Sequence, residues 1–354
     1  MDSYPPFVKG LELNKGFFFD VVKPILEKNH PGLPYSASLL GYGSDVLGFD
    51  TETSMDHNWG PRLQLFIDDE KLICVLNEFF KNALPLQYRD FSVNFTDPEY
   101  DGVQRMEFTD RKPVNHLIEI ATPENYFKNR YSISKLKNLA NNDWLDYISI
   151  STSLSMSIEQ NLLEITSGLV FCDGLNKLNT LREELKFYPP DICKLRMAAL
   201  WNYIWNKEAF IGRCIALDDF TGLKINAARI AGYLIKILFY LEERYIPYSK
   251  WLGTAFKQLK VYKTTGPMID AALRENEPSR IEAGLCALYE KVLEEHNKNP
   301  HLLHIKNKTR NFFNRPYRVI FAENIVEELV KSITDENIRK TDLKQCGLDL
   351  ALDF

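Results

Sequence analysis

Residues 39–66 read LLGYGSDVLGFDTETSMDHNWGPRLQLF, two apolar runs around one polar loop. An apolar run with strand propensity, Tyr35–Leu40, empties into a glycine-serine turn at Gly41, Gly43 and Ser44. A second run able to form a strand, Trp59–Ile67, begins just after Asp56. Glycine lacks a Cβ, so backbone N–H groups at Gly43 can approach a phosphate closely, and Ser44 adds a hydroxyl. Asp56, at the mouth of the second strand, is placed to hold a divalent cation against that phosphate. Two strands flanking one polar loop in this way form a layout able to hold a phosphate and a divalent cation together.

Outward from that stretch the chain divides by texture. Residues 11–29 carry Phe17, Val21, Ile25 and Leu26 at helical spacing and stop at His30-Pro31-Gly32. After the second strand, acids at 68–70 open a helix over Lys71–Asn82, and short strands are expected at Phe91–Phe95 and Gly102–Phe108. Val114–Ala121 alternates, with Leu117, Glu119 and Ala121 on one face and His116, Ile118 and Ile120 on the other. Glu119 is the polar residue out of place. A carboxylate within an apolar strand is costly unless paired or bound to a metal, which makes it the candidate third acid of the site; an edge strand with Glu119 facing solvent is the plain alternative.

From about residue 152 the periodicity becomes helical, with runs at Ser155–Gly168, Leu175–Phe187, Asp191–Asn206, Glu208–Asp218 and on to Asn324–Ile333. The expectation is an α+β chain: a mixed sheet flanked by helices over residues 1–150, then an all-helical domain over 151–354. Arg62, on an apolar strand, suits either a triphosphate or a structural ion pair. Around Pro247, aromatics and bases interleave, and Tyr248 with Lys250 would form a wall for a base or triphosphate, or else simply a helix corner.

Composition bounds the partners. The 354 residues hold 43 Lys or Arg against 48 Asp or Glu, a net charge of −5, which does not indicate general affinity for nucleic acid but leaves room for a local patch. Six scattered cysteines form no C-x-x-C pair and read as buried thiols in a reducing compartment. No signal peptide and no long apolar run is evident, so a soluble cytoplasmic protein without membrane contact is expected. His296, His301 and His304 sit in an asparagine-rich stretch without paired acids, and read as a surface loop rather than a metal site.

Gly43-Ser44, a spacer, then Asp56-His57-Asn58 resembles the signature of the nucleotidyltransferase superfamily that includes DNA polymerase β and the aminoglycoside nucleotidyltransferases. The longer string from Gly43 to Phe66, with LLEITSGLVFCDGLNKLNTLREELKFYPPDI and ERYIPYSKWLGTAF, is similar to the family called domain of unknown function 4037 over most of residues 35–260. The resemblance implies a nucleotidyltransferase-like fold. It also implies Mg²⁺ or Mn²⁺ held by Asp56, Asn58 and Glu119, with Asp56 and Glu119 catalytic and Gly43, Ser44, Arg62, Tyr248 and Lys250 on a nucleoside triphosphate.

The expected reaction moves a nucleoside monophosphate to a hydroxyl acceptor, a small molecule foremost. Alternatives are a toxin-like transferase acting on tRNA or protein, and a nucleotide-binding or interaction protein with a damaged metal site. Asn58 is the departure that matters. Superfamily members place a second carboxylate there, so a second acid would have to come from Asp45, Asp50 or Glu52.

Overall fold

The computed structural model describes residues 5–100, 102–153 and 157–351. The chain is α+β, and it forms two compact units: residues 1–139 with 161–186, and residues 140–160 with 187–354. The change of texture near residue 152 is therefore not a single boundary. The chain passes into the second unit at 140 and returns at 161 to complete the first.

In the first unit, helix α1 (Gly10–Phe17) runs through a wider turn at Phe18–Val22 into α2 (Lys23–Asn29). Strand β1 (Ser36–Leu39) follows, then the long polar loop, then β2 (Arg62–Phe66) and α3 (Lys71–Ala83). The predicted second strand begins three residues early: Gly60 and Pro61 keep Trp59 out of the ladder. Beyond a two-strand ribbon of β3 (Gln87–Tyr88) and β4 (Phe91–Ser92) come β5 (Leu117–Ala121) and α4 (Pro123–Tyr131). The expected strand at Gly102–Phe108 is reduced to a single bridge between Phe95 and Met106.

The sheet is mixed, in the order β5-β2-β1-β6, with β6 at Leu169–Asp173. Strand β2 is antiparallel to β1 and parallel to β5, and β6 is antiparallel to β1. No strand was expected at β6, whose five residues Leu-Val-Phe-Cys-Asp stand between helical runs. At Gly168, φ is +69° and an added Cβ would lie 2.0 Å from the Leu39 carbonyl oxygen, so only glycine admits this strand beside β1.

One sheet face packs Leu63, Leu65 and Ile118 with Leu13, Phe17, Leu76 and Phe80 from α1 and α3. The other face carries Arg62, Gln64 and Phe66, and α4 covers it by packing Tyr126 edge-on and Phe127 face-on against Phe66, with ring centroids 5.1 and 6.0 Å away. Burying this much aromatic and aliphatic surface supplies the main stabilisation of the unit.

The second unit is helical. After α5 (Asn141–Ser153) and the start of α6 (Ile158–Thr166), and with α7 (Leu178–Glu184) belonging to the first unit, it contains α8 (Pro190–Ala216), α9 (Phe220–Leu241), α10 (Ser249–Phe256), α11 (Tyr262–Arg274), α12 (Pro278–Lys298) and α13 (Ala322–Lys331). The helix expected from Ser155 begins at Ile158: Ser157 is outside it, and residues 155–156 lie outside the described residues. The two runs expected at Asp191–Asn206 and Glu208–Asp218 are one 27-residue helix, because nothing between them breaks the backbone ladder.

At the centre of this unit, the fully buried Arg196 guanidinium donates to both carboxylate oxygens of Asp349, to Glu159, to the Tyr240 hydroxyl and to the Cys346 carbonyl at 2.8–2.9 Å. No described helix is long and apolar enough to cross a membrane.

Candidate functional site

The loop after β1 is built around a buried ion pair. Arg62, the first residue of β2, reaches back so that Nη2 lies 2.7 and 3.0 Å from the Asp45 carboxylate oxygens and 3.0 Å from the Tyr42 carbonyl. Burial alone would lower the Arg62 pKa, but the adjacent Asp45 carboxylate raises it, so the guanidinium stays charged. The Arg62 backbone N–H donates to Asn14 Oδ1 at 2.6 Å, which ties the start of β2 to α1.

Gly43 has φ +127°, and a Cβ there would lie 2.2 Å from Asp45 Oδ1 and 2.6 Å from Arg62 Nη2. Its missing side chain is thus required by the ion pair as well as by loop conformation. The structural role of Arg62 foreseen as one alternative is the one observed.

The loop leaves donors over. Its carbonyls and later N–H groups close a helical turn, with Leu47 N–H on Gly43 O, Gly48 N–H on Asp45 O and Phe49 N–H on Ser44 O. Among the described residues, the backbone N–H groups of Tyr42, Gly43, Ser44 and Asp45 donate to no protein acceptor. Four such donors at the start of a helical turn form the kind of concavity that accepts an anion.

Arg130, on α4, stands beside them. Its guanidinium lies 4.6 Å from the Tyr42 ring centre, and Nη1 lies 3.6 Å from Glu119 Oε2. Tyr126 and Tyr131 point their hydroxyls at Gly41, 3.0 and 3.3 Å from where its Cβ would be. Burial pushes both phenol pKa values above the ordinary value, so both remain protonated donors. Sequence reasoning missed Arg130, Tyr126 and Tyr131; α4 carries no motif, and only the stacking of that helix on Phe66 brings them to the loop.

The carboxylates are arranged differently from expectation. Asp56 does not enter the strand: it ends a single turn of 3₁₀ helix, Glu52–Asp56, with its side chain 65% exposed and 2.8 Å from Nδ1 of His57. His57 is itself exposed, whereas Trp59 packs against Phe7 and Phe91.

Asn58 adopts φ +47°, and its backbone N–H and amide oxygen are both engaged by the neighbouring loop. Its N–H donates to Gln104 O at 2.7 Å and its Oδ1 accepts from Gln104 N–H at 2.9 Å. Asp45 is buried against Arg62. Asp50 is buried too, accepting from Gly10 N–H at 2.7 Å and pairing with Lys9 at 3.2 Å.

The two β2 positions on the loop's side of the sheet are Arg62 and Gln64, a cation and an amide. Glu119 is level with Gln64 in the ladder, and Gln64 with Ser38. Its side chain, 44% exposed on the edge strand, pairs with Arg130. Among the described residues, no three Asp, Glu, His or Cys side chains converge as a cation site. The donor set does not fit a two-cation centre: the strand positions that would supply it hold Arg62 and Gln64, and the Asn58 amide oxygen is engaged.

Residues 155–252 match the model of a family described as domain of unknown function, DUF4037. The chain is similar to that family over this region, which takes in Glu159, Arg196 and Tyr240 and leaves out the loop at Gly41–Ser44. No curated protein matches the chain.

Tyr248 and Lys250 belong to the second unit, at the start of α10. The Tyr248 N–H donates to Gln160 Oε1 at 3.1 Å, and the Lys250 ammonium lies 5.0 Å from the Trp251 ring. Beside Tyr248 is a cavity of about 30 Å³ lined by Glu159, Lys236 and Asp349, room for a single water.

The histidines split as well. His296 is buried on α12 with Nε2 3.0 Å from the Leu303 carbonyl, while His301 and His304 are exposed. Of the cysteines expected to be buried, Cys286 and Cys346 are, Cys74 is exposed and the other three are partly covered.

Proposed function

We propose that this protein binds the phosphates of a nucleotide at the loop Tyr42–Asp45, with Arg130 as the mobile counter-charge. The observation that carries the reading is the run of four backbone N–H groups without a protein acceptor, next to the Ser44 hydroxyl and the Arg130 guanidinium. A phosphate there meets fixed dipoles held by the Arg62–Asp45 pair, and a guanidinium matches its geometry. Arg130 gives up little to reach it, because its pairing with the half-exposed Glu119 is of the kind worth about 0–1 kcal/mol. Tyr42, exposed at the loop, would offer a base the ring face that Arg130 leaves as it turns to the phosphate.

Nucleotidyl transfer to a hydroxyl acceptor is the second reading. Arg130 favours it by standing between the loop and Glu119, 4.6 Å from the Tyr42 ring centre and 3.6 Å from that carboxylate. Pyrophosphate release from a nucleoside triphosphate, with acceptor pools that include cell extract and tRNA, tests this reading.

Binding itself is tested by calorimetry with ATP, CTP, GTP and UTP, with Mg²⁺ and with chelator. The expected result is heat of binding that survives the chelator and weakens about tenfold or more in Arg130→Ala, the scale of one lost charge-assisted hydrogen bond. No binding of any nucleotide under either condition would overturn the proposal.

A further inference from the structure

The second unit carries a surface that the nucleotide reading does not use. Between Glu295 and Glu323 the sequence contains no acidic residue and six Lys or Arg, in a chain whose net charge is −5. Lys298 pairs with Glu294 and Glu295. The other five, Lys306, Lys308, Arg310, Arg315 and Arg318, are all exposed, and among the described residues none has a carboxylate within ion-pair distance. Lys306, Lys308 and Arg310 line an open groove of about 500 Å³ with Asn297, His304 and Asn307. Solvated bases on a helix face are ordinary, but these sit on an irregular segment closed by a two-strand hairpin, Arg310–Asn311 against Arg318–Val319.

Aromatic rings interleave with the charges. Phe312 stacks on Tyr317 and on Phe321, with centroids 5.7 and 5.9 Å apart and planes within 30°. Arg310 completes the stack, its guanidinium 4.0 Å from the Phe321 ring centre. At the hairpin tip Phe313 is 76% exposed, and its backbone is held at φ +53°. An exposed phenylalanine at a strained left-handed position costs free energy without contributing to a core, an arrangement expected where a ring is presented to a partner.

We propose that the segment His304–Arg318 binds single-stranded nucleic acid, with Phe313 stacking on an unpaired base and Lys306, Lys308 and Arg315 taking consecutive phosphates. The pairing of stacking platform and unpaired cations selects this partner. A polyanion alone satisfies the charges but leaves Phe313 in water, and a duplex hides its base faces from the ring. The proposal stands whether or not the Tyr42–Asp45 loop binds a nucleotide, since no residue is shared.

Fluorescence anisotropy of the full chain tests it, using labelled uridine-rich RNA and thymidine-rich DNA single strands of about 20 nucleotides, a DNA duplex of equal length, and vesicles rich in phosphatidylserine as competitor. Both single strands are expected to bind more tightly than the duplex, with affinity falling steeply between about 50 and 200 mM salt. The triple variant K306E/K308E/R315E should lose more than about tenfold and flatten the salt dependence. F313A should lose about tenfold on single strands and leave weak duplex binding unchanged.

All of these positions are exposed, so unchanged unfolding midpoints will separate lost binding from lost folding. Four results would overturn the proposal: no single-strand binding at about 50 mM salt, equal binding of the duplex, stronger competition by vesicles than by unlabelled RNA, or F313A indistinguishable from wild type.

Discussion

At the scale of single residues, Gly43 and Asn58 show how far a motif can be read and where it misleads. Gly43 was legible as a position where a missing Cβ lets the backbone approach a phosphate, but the structure adds the Arg62–Asp45 pair, packed where that Cβ would be. That pair joins positions 17 apart, and only the antiparallel register of β1 and β2 brings them together. Gly43→Ala should therefore lose about 1–3 kcal/mol, from left-handed strain and displacement of the pair, read as a shift of the chemical unfolding midpoint.

Asn58 tests the metal expectation. An aspartate there can keep the bond from Gln104 N–H with the same oxygen, so Asn58→Asp should fold normally and gain no Mg²⁺ affinity over wild type. A metal titration that shows clear tightening would mean a cation site exists which this arrangement does not provide.

Among elements, the sheet was legible where an apolar run was bounded by glycine or by alternation, as at β1, β2 and β5, and illegible at β6. Five mixed residues between two helical runs have no period of their own, and the partner that makes them a strand, β1, lies far back in sequence. Glu119 was picked out because an acid interrupts an apolar alternation. The order β5-β2-β1-β6 puts it on an edge, where a half-exposed acid is tolerated.

Helix α13 supplies a pH-dependent case. Glu208 on α8 accepts from the backbone N–H groups of Ile320, Phe321 and Ala322 at 2.9–3.1 Å, capping α13 across 112–114 positions of chain. Burial pushes its carboxyl up to about 7 from 4.5, although those N–H groups favour the charged form. The folded state thus holds the proton more tightly than the unfolded chain. The contribution is fully present below about 4.5 and is lost as pH rises through about 7. E208Q cannot titrate, so its unfolding free energy should change less than that of wild type between pH 5 and 8, by about 2–3 kcal/mol. Parallel pH profiles of the two proteins in urea would refute the assignment.

For the molecule as a whole, the α+β class and the helical character of the C-terminal region follow from hydrophobic periodicity, and the structure shows both. The excursion of residues 140–160 into the second unit was not readable, because a helix that leaves one compact unit has the same pattern as one that stays. The similarity to DUF4037 falls on residues 155–252, a narrower span than residues 35–260 and outside the Gly-Ser loop.

The counter-charge we propose for phosphate at the Tyr42–Asp45 loop is Arg130, released from Glu119. Nucleotide affinity of Glu119→Gln against wild type, measured in chelator and in Mg²⁺, tests it most directly. Binding about two- to fivefold tighter in the variant is expected in chelator, the worth of one exposed ion pair no longer competing. Weaker binding in the variant, or binding that appears only with Mg²⁺ and vanishes with Glu119→Gln, would contradict it and make Glu119 a metal ligand instead.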